Sequence, residues 1–147
     1  MDLAYARVGL RGHVVSTVTE RRAEFTNAPE SVAAARAFVR DCLPDVDAAL
    51  RSIATLLTSE LATNAVRHTV TTYTVAVEAD DDEVRIGVGD ASAVQPVPRS
   101  AGLDEYDGQG LKIVDALADR WGIDPGLSGG KQVWVVLYRH VERPGWT

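Results

Sequence analysis

The chain has 147 residues, 46% of them hydrophobic, 24% charged and 6% aromatic, a make-up that excludes a disordered segment and fits one folded domain. Fifteen basic residues against 21 acidic ones leave a net charge of -6, which argues against broad contact with a nucleic-acid backbone. A single cysteine, Cys42, excludes an internal disulfide and a multi-cysteine zinc site, and the three histidines His13, His68 and His140 lack metal-ligand spacing. The start has no basic stretch followed by an apolar run, and no later stretch reaches membrane-spanning length, so a cytoplasmic protein is expected.

In chain order, the first two dozen residues are irregular in composition, with short strands expected over Val14 to Thr19 and Arg22 to Thr26. Asn27-Ala28-Pro29-Glu30-Ser31 then reads as a helix start: a capping residue, a proline suited to the first turn and a glutamate at the positive end of the helix dipole. This first helix is predicted to run to about Leu43, where Pro44 stops it. Asp45 to His68 reads as a second helix, with Ile53, Leu56, Leu57 and Leu61 at helical spacing. The period then changes to two. Tyr73, Val75 and Val77 alternate with polar or small residues, Asp80-Asp81-Asp82 turns, and Val84, Ile86 and Val88 alternate again, which predicts an antiparallel hairpin. Ala91 to Asp107 has no periodicity, and so long an irregular loop is a candidate lid. Gly108-Gln109-Gly110 opens a third helix with Leu111, Ile113, Val114 and Leu117 as its apolar stripe, expected to end near Arg120. Gly122 to Gly130 reads as a break, and Lys131 to His140 as a well-buried final strand.

Three polar features fall where core residues are expected. At about 100° per residue, Glu60, Asn64 and His68 lie on the stripe through Ile53, Leu56 and Leu57, which aims a carboxylate and an amide at the core. Burying such groups without partners costs roughly 2 to 7 kcal/mol, more for a charge, so a compensating group is expected unless the helix end emerges into solvent. Asp90 shares the parity of Val84, Ile86 and Val88 and is expected on the inward face at the strand end, with a turn-forming aspartate as the alternative. Gly108-Gln109-Gly110 at a helix head supplies close backbone approach and free N–H groups, which suits an anion, although the same pattern also serves plain turns. Taken together these parts have the chemistry of a magnesium-nucleotide site. The Asn64 amide oxygen suits Mg²⁺, Glu60 suits proton acceptance beside the phosphates, and Asp90 suits an exocyclic amino group such as that of adenine.

The order of these motifs resembles the histidine-kinase-like ATPase superfamily, the group with the Bergerat nucleotide fold, and within it the anti-sigma-factor serine/threonine kinase branch. Glu60-Leu61-Ala62-Thr63-Asn64-Ala65-Val66-Arg67-His68 is similar to that branch's N box, Asp90 to the G1 aspartate and Gly108-Gln109-Gly110-Leu111 to the G2 box. Gly129-Gly130-Lys131-Gln132-Val133-Trp134 is similar to its final glycine-rich strand start. The resemblance covers about Phe25 to Tyr138.

The resemblance implies an α/β (α+β) two-layer sandwich, a mixed, mostly antiparallel sheet covered on one face by three helices, with Mg-ATP between the layers. Residues 1–20 are expected as an N-terminal extension or first strand, 21–140 as the ATPase domain and 141–147 as a short tail. By match, Glu60 would be the catalytic base and Asn64 the magnesium ligand. Asp90, Gly108, Gly110, Leu111, Lys112 and Arg67 would complete the ATP-binding set. The implied activity is a protein serine/threonine kinase that regulates transcription by partner switching, phosphorylating a STAS-type antagonist. Its partners would be ATP, a sigma factor or that antagonist, and, as an open option, a second copy of the chain; nucleic acid and membrane are not expected. A phospho-accepting histidine helix or sensor region is not seen upstream, which disfavours a complete sensor histidine kinase. Two departures stand out: Asp90-Ala91-Ser92 lacks the glycine usual two residues after the G1 aspartate, and Gln132 stands where threonine often follows Gly-Lys. They support the alternative of a non-catalytic module, with or without nucleotide, that sequesters a sigma factor or antagonist. A free-standing ATPase is a third reading.

Overall fold

In a computed structural model of the chain, residues 2–8, 14–69, 71–90, 108–125 and 130–143 are described. Alternation of apolar and polar residues produces strands β1 (Asp2–Val8), β2 (Val14–Thr26), β3 (Thr72–Ala79), β4 (Glu83–Asp90), β5 (Arg120–Pro125) and β6 (Lys131–Tyr138). Helical spacing produces α1 (Ser31–Cys42), α2 (Ala48–His68) and α3 (Gly108–Leu117). The strands form one sheet in the order β1-β2-β3-β4-β6-β5, and each of these neighbouring pairs is antiparallel. No parallel pair therefore occurs among the described strands, and the sheet is not mixed. The helices lie on one face, giving the expected two-layer α+β sandwich.

Between the layers, β3 turns Tyr73, Val75, Val77 and Ala79 inward, and β4 turns Val84, Ile86 and Val88 the same way. Val133, Val135 and Leu137 of β6 continue this face beneath Leu50, Ile53, Leu57 and Leu61 of α2. Burying each of these larger side chains contributes about 1.5–3 kcal/mol. Asp47 caps α2 by accepting a hydrogen bond from the Leu50 backbone N–H at 2.8 Å. The β3–β4 turn is built on Asp80, whose Oδ1 accepts from the N–H groups of Asp82 (2.8 Å) and Glu83 (2.9 Å).

Several boundaries differ from those expected. Val14 to Thr26 is one 13-residue strand rather than two short ones. The charged run Glu20-Arg21-Arg22 does not break it, because alternation sends Glu20 and Arg22 to one face, where they pair, and Arg21 to the other, 5.6 Å from the centre of the Phe38 ring. A further strand, β1, pairs with its first half. Asn27 does not cap α1. Its side chain donates to the Thr69 carbonyl (3.2 Å) and its backbone N–H to that of Thr71 (3.2 Å), tying the end of β2 to the segment between α2 and β3. The helix begins at Ser31 with Glu30 as a cap residue that makes no side-chain capping bond.

The expected end of the third helix near Arg120 is corrected, as is the first part of the expected break over Gly122 to Gly130, of which residues 126–129 lie outside the described residues. The helix stops at Leu117, and residues 120–125 form the edge strand β5. Gly122 is a packing glycine: a Cβ there would lie 2.6 Å from the Trp134 ring. Trp121 and Ile123 on either side of it pack on the core, and the Trp121 indole N–H donates to Asp115 at 2.9 Å. The final strand ends at Tyr138, two residues before the expected boundary.

Candidate functional site

The topology gathers the singled-out residues at one end of the sandwich. The start of β3 lies beside the end of β4, since Tyr73 is the register partner of Asp90, and the end of β4 lies beside the start of β6, where Gly89 faces Gln132. The last turn of α2 reaches this end because only Thr69 to Thr71 separate it from β3. Helix α3 finishes at the opposite end, next to the start of β5. Its first turn therefore lies about 15 Å back, toward the β4 and β6 termini.

Along α2 the buried stripe runs through Leu50, Ile53, Leu57, Leu61 and Asn64. This differs slightly from the expected stripe, since Leu56 and Glu60 lie on its border and are half-buried, and His68 is exposed. Asn64 is 4% exposed. Its amide Nδ2 is fully buried and has no hydrogen-bond partner among the described residues. An orphan amide in such a place costs about 1–3 kcal/mol, and a 180° turn of the amide would present its oxygen at the same point. An oxygen ligand for a hard cation is thus available where the protein leaves the group unsatisfied, so the residue fits a Mg²⁺ held by few protein groups and by substrate oxygens. Glu60, one turn earlier, brings a carboxylate to the same side of the helix. Arg67 is exposed in the last turn.

Gly108 and Gly110 fall in the first turn of α3 rather than before it, so the backbone N–H groups of residues 108–111 are among those an α-helix leaves without intrahelical partners. Leu111 is buried and holds this turn to the core, while Lys112 is exposed. Asp90 is the last residue of β4, in register with Tyr73 and at the parity of Val84, Ile86 and Val88. The candidate lid from Ala91 to Asp107, with Ser92 in it, and Gly129 lie outside the described residues.

Two residues of the β6 start have different fates. Gln132 leaves the sheet on the face away from the helices, where its amide lies over Gly87; a Cβ on that glycine would be 2.5 Å from it. Its departure from the common threonine therefore has no contact with the helix-covered end. Lys131 has the inward parity of Val133 and Val135, and its charge acts on His68. The exposed His68 imidazole is still partly desolvated, and it is held below its ordinary value by that partial burial first, then by Lys131, then by Arg67. The sequence motif assigns Lys131 no role, and the parity it shares with Val133 is the signal in the sequence that places it on the inward face.

Arg67 and Lys131 give the rim a positive field that suits a phosphate-bearing ligand, and the same field keeps His68 neutral. The opposite face of the sheet is different in kind. A cavity of about 280 Å³ there is lined by Arg22, Ala76, Glu78, Arg85, Gly87 and Gln132. Arg85 sits 4.6 Å over the Trp134 ring and 4.0 Å from Asp124, so its charge already has partners.

With this geometry in view, the comparison with known proteins gives one result. The sequence family described as Histidine kinase-like ATPase domain matches residues 25–137. No curated protein matches the chain.

Proposed function

Because the chain belongs to the histidine kinase-like ATPase domain family, we propose that it binds Mg-ATP at the α2–α3 end of the sandwich and acts as an anti-sigma-factor-type serine/threonine protein kinase. The observation that carries this reading is Asn64, a buried amide with an unpartnered polar atom in a helix whose neighbouring turns bring a carboxylate and the Arg67 guanidinium to the same end. In this reading Asn64 holds Mg²⁺, which supplies charge neutralisation at the phosphates when bound. The first turn of α3, with Gly108, Gly110, Leu111 and Lys112, offers N–H groups and an ammonium to phosphate oxygens, and Arg67 approaches the same anion from α2. Asp90 accepts a hydrogen bond from the base. Glu60 accepts the proton of a serine or threonine hydroxyl as that oxygen attacks the γ-phosphorus and the bond to the β-phosphate oxygen breaks.

The protein substrate in this proposal is a STAS-type antagonist, and a sigma factor is the second partner, so that phosphorylation switches which of the two is held. The cytoplasm is the compartment this role requires. A non-catalytic module is the second reading, favoured by the Ala91-Ser92 sequence after Asp90. Titration calorimetry with Mg-ATP on the wild type and on Asn64→Ala tests the site first: heat with the wild type and its loss in the variant are expected, and no wild-type heat would refute the nucleotide reading. Labelled ATP with candidate STAS proteins then separates kinase from module. Transfer to a serine or threonine that is abolished in Glu60→Ala is expected, whereas binding without transfer to any partner favours the module.

A further inference from the structure

The last turn of α2, which follows Asn64, is fastened from outside the helix. An α-helix leaves its final carbonyls without intrahelical donors, and the residue that caps α2 is not the left-handed glycine that often closes them. That residue, Thr69, is extended, with φ -96° and ψ 154°, and its N–H returns to the Ala65 carbonyl at 2.8 Å. The Thr69 hydroxyl is buried without a partner among the described residues, so this side chain does not fasten the cap. The anchor comes from Asn27, the residue after β2. Its side-chain amide donates to the Thr69 carbonyl at 3.2 Å, and its backbone N–H donates to the Thr71 carbonyl at 3.2 Å. A carbonyl only accepts, which fixes the nitrogen of the Asn27 amide toward it.

Packing alone holds this turn weakly. Asn64 itself is buried, but beyond it Ala65 and Val66 are only partly buried against the core, and Arg67 and His68 are exposed. Helix ends fray unless their terminal groups are held, and fraying here would turn the Asn64 amide. We infer that Asn27 is a positioning residue of the nucleotide site: by holding the Thr69 carbonyl from the end of β2, it keeps the last turn of α2 wound and the Asn64 amide oriented for Mg²⁺. The inference rests on the nucleotide reading above. Arg67, exposed and long, adapts to a small shift of the turn, whereas a buried amide serving a metal does not.

Titration calorimetry of the full chain with ATP, in magnesium and again in excess chelator, tests it on wild type, Asn27→Asp and Asn27→Ala. Aspartate keeps the shape of asparagine but sets an oxygen against the Thr69 carbonyl; alanine removes the donor and leaves the backbone bond to Thr71 in place. The wild type is expected to bind ATP more tightly with magnesium than without it. Both variants should lose about 10-fold in the affinity measured with magnesium, the scale for removing a group that orients a metal ligand, while the magnesium-free affinity falls by less than about 3-fold. Thermal melts identify folded variants, and the alanine variant carries the test if the aspartate one does not fold. An equal loss with and without magnesium would give Asn27 a purely structural role, and no loss in either variant would show that the end of α2 holds itself. Either result overturns the inference and leaves the nucleotide reading standing. A wild type that binds ATP equally with and without magnesium removes the metal from the site and the inference with it, and one that binds no ATP overturns both readings.

Discussion

Replacing Asn64 by leucine separates what the fold needs from what a ligand needs. The side chain is 4% exposed and its Nδ2 lacks a partner among the described residues, so the ligand-free protein carries an unsatisfied amide that costs about 1–3 kcal/mol. Leucine has nearly the shape of asparagine, leaves no void and adds apolar burial next to Leu61. The ligand-free Asn64→Leu variant is therefore expected to be more stable by about 1–3 kcal/mol, and at about 2–4 °C per kcal/mol for a chain of this length its melting temperature should rise by about 2–12 °C. With Mg-ATP at 100 times its dissociation constant, the wild type gains about 2.7 kcal/mol from binding and the variant gains nothing. The ranking of the two proteins should thus narrow or reverse on adding ligand, which paired differential scanning calorimetry measures directly. A ligand-free variant that melts below the wild type would show the amide to be held by the fold, and a variant still stabilised by Mg-ATP would remove Asn64 from the metal site.

Further outcomes follow from other contacts. Tyr73→Phe leaves Ser31 Oγ buried without its 2.6 Å partner and is expected to cost about 1–3 kcal/mol in urea denaturation, most of it recovered in the double variant with Ser31→Ala. Gly122→Ala sets a methyl 2.6 Å from the Trp134 ring and should cost about 1–3 kcal/mol with a change in tryptophan fluorescence. Gly87→Ala meets only the mobile end of Gln132 and should be nearly neutral. His68 is held below its ordinary value of 6.5 by burial, Lys131 and Arg67, so the folded chain takes up this proton later than the unfolded one. Its stabilising effect is complete above about pH 6.5 and is lost as pH falls through the lowered value; His68→Gln should flatten the fall in urea midpoint between about pH 7 and pH 5, and an unchanged slope would contradict the shift.

The parts legible in the sequence were those where one periodicity governs a whole element. The β3–β4 hairpin alternates cleanly around an Asp turn, and α2 shows both its apolar stripe and the inward amide. What was not legible depended on partners distant in sequence. Glycine at 122 looks like a break until Trp134, twelve residues later, is seen to occupy the space above it. Glu20-Arg21-Arg22 looks like an interruption until the strand separates its charges onto two faces. Asn27 has a capping residue's side chain, but its amide donates to the Thr69 carbonyl instead. At the site, Glu60 proved a border residue because the buried sector of α2 also takes in Ala54, Thr58 and Ala62, which turns its centre away from Leu56 and Glu60. Lys131 has no role in a motif defined by its glycines, although strand parity is enough to turn its side chain inward.

The two ends of the sandwich differ in how they are fastened. Away from the site, Asp119 accepts from the Tyr138 N–H (2.7 Å) and from Arg143 (2.6 Å), Asp80 closes its turn with two backbone bonds, and Arg143 also reaches the Tyr138 carbonyl at 2.7 Å. At the site end the buried amide of Asn64 waits without a partner. Local opening is cheapest where buried apolar contacts are fewest, so the amides of the central strands β3, β4 and β6 should exchange with solvent slowest and those in the last turn of α2 sooner. A ligand that engages Asn64 would then act as the missing fastening, and the protection it confers would spread along α2 from its last turn toward the buried face of the sheet.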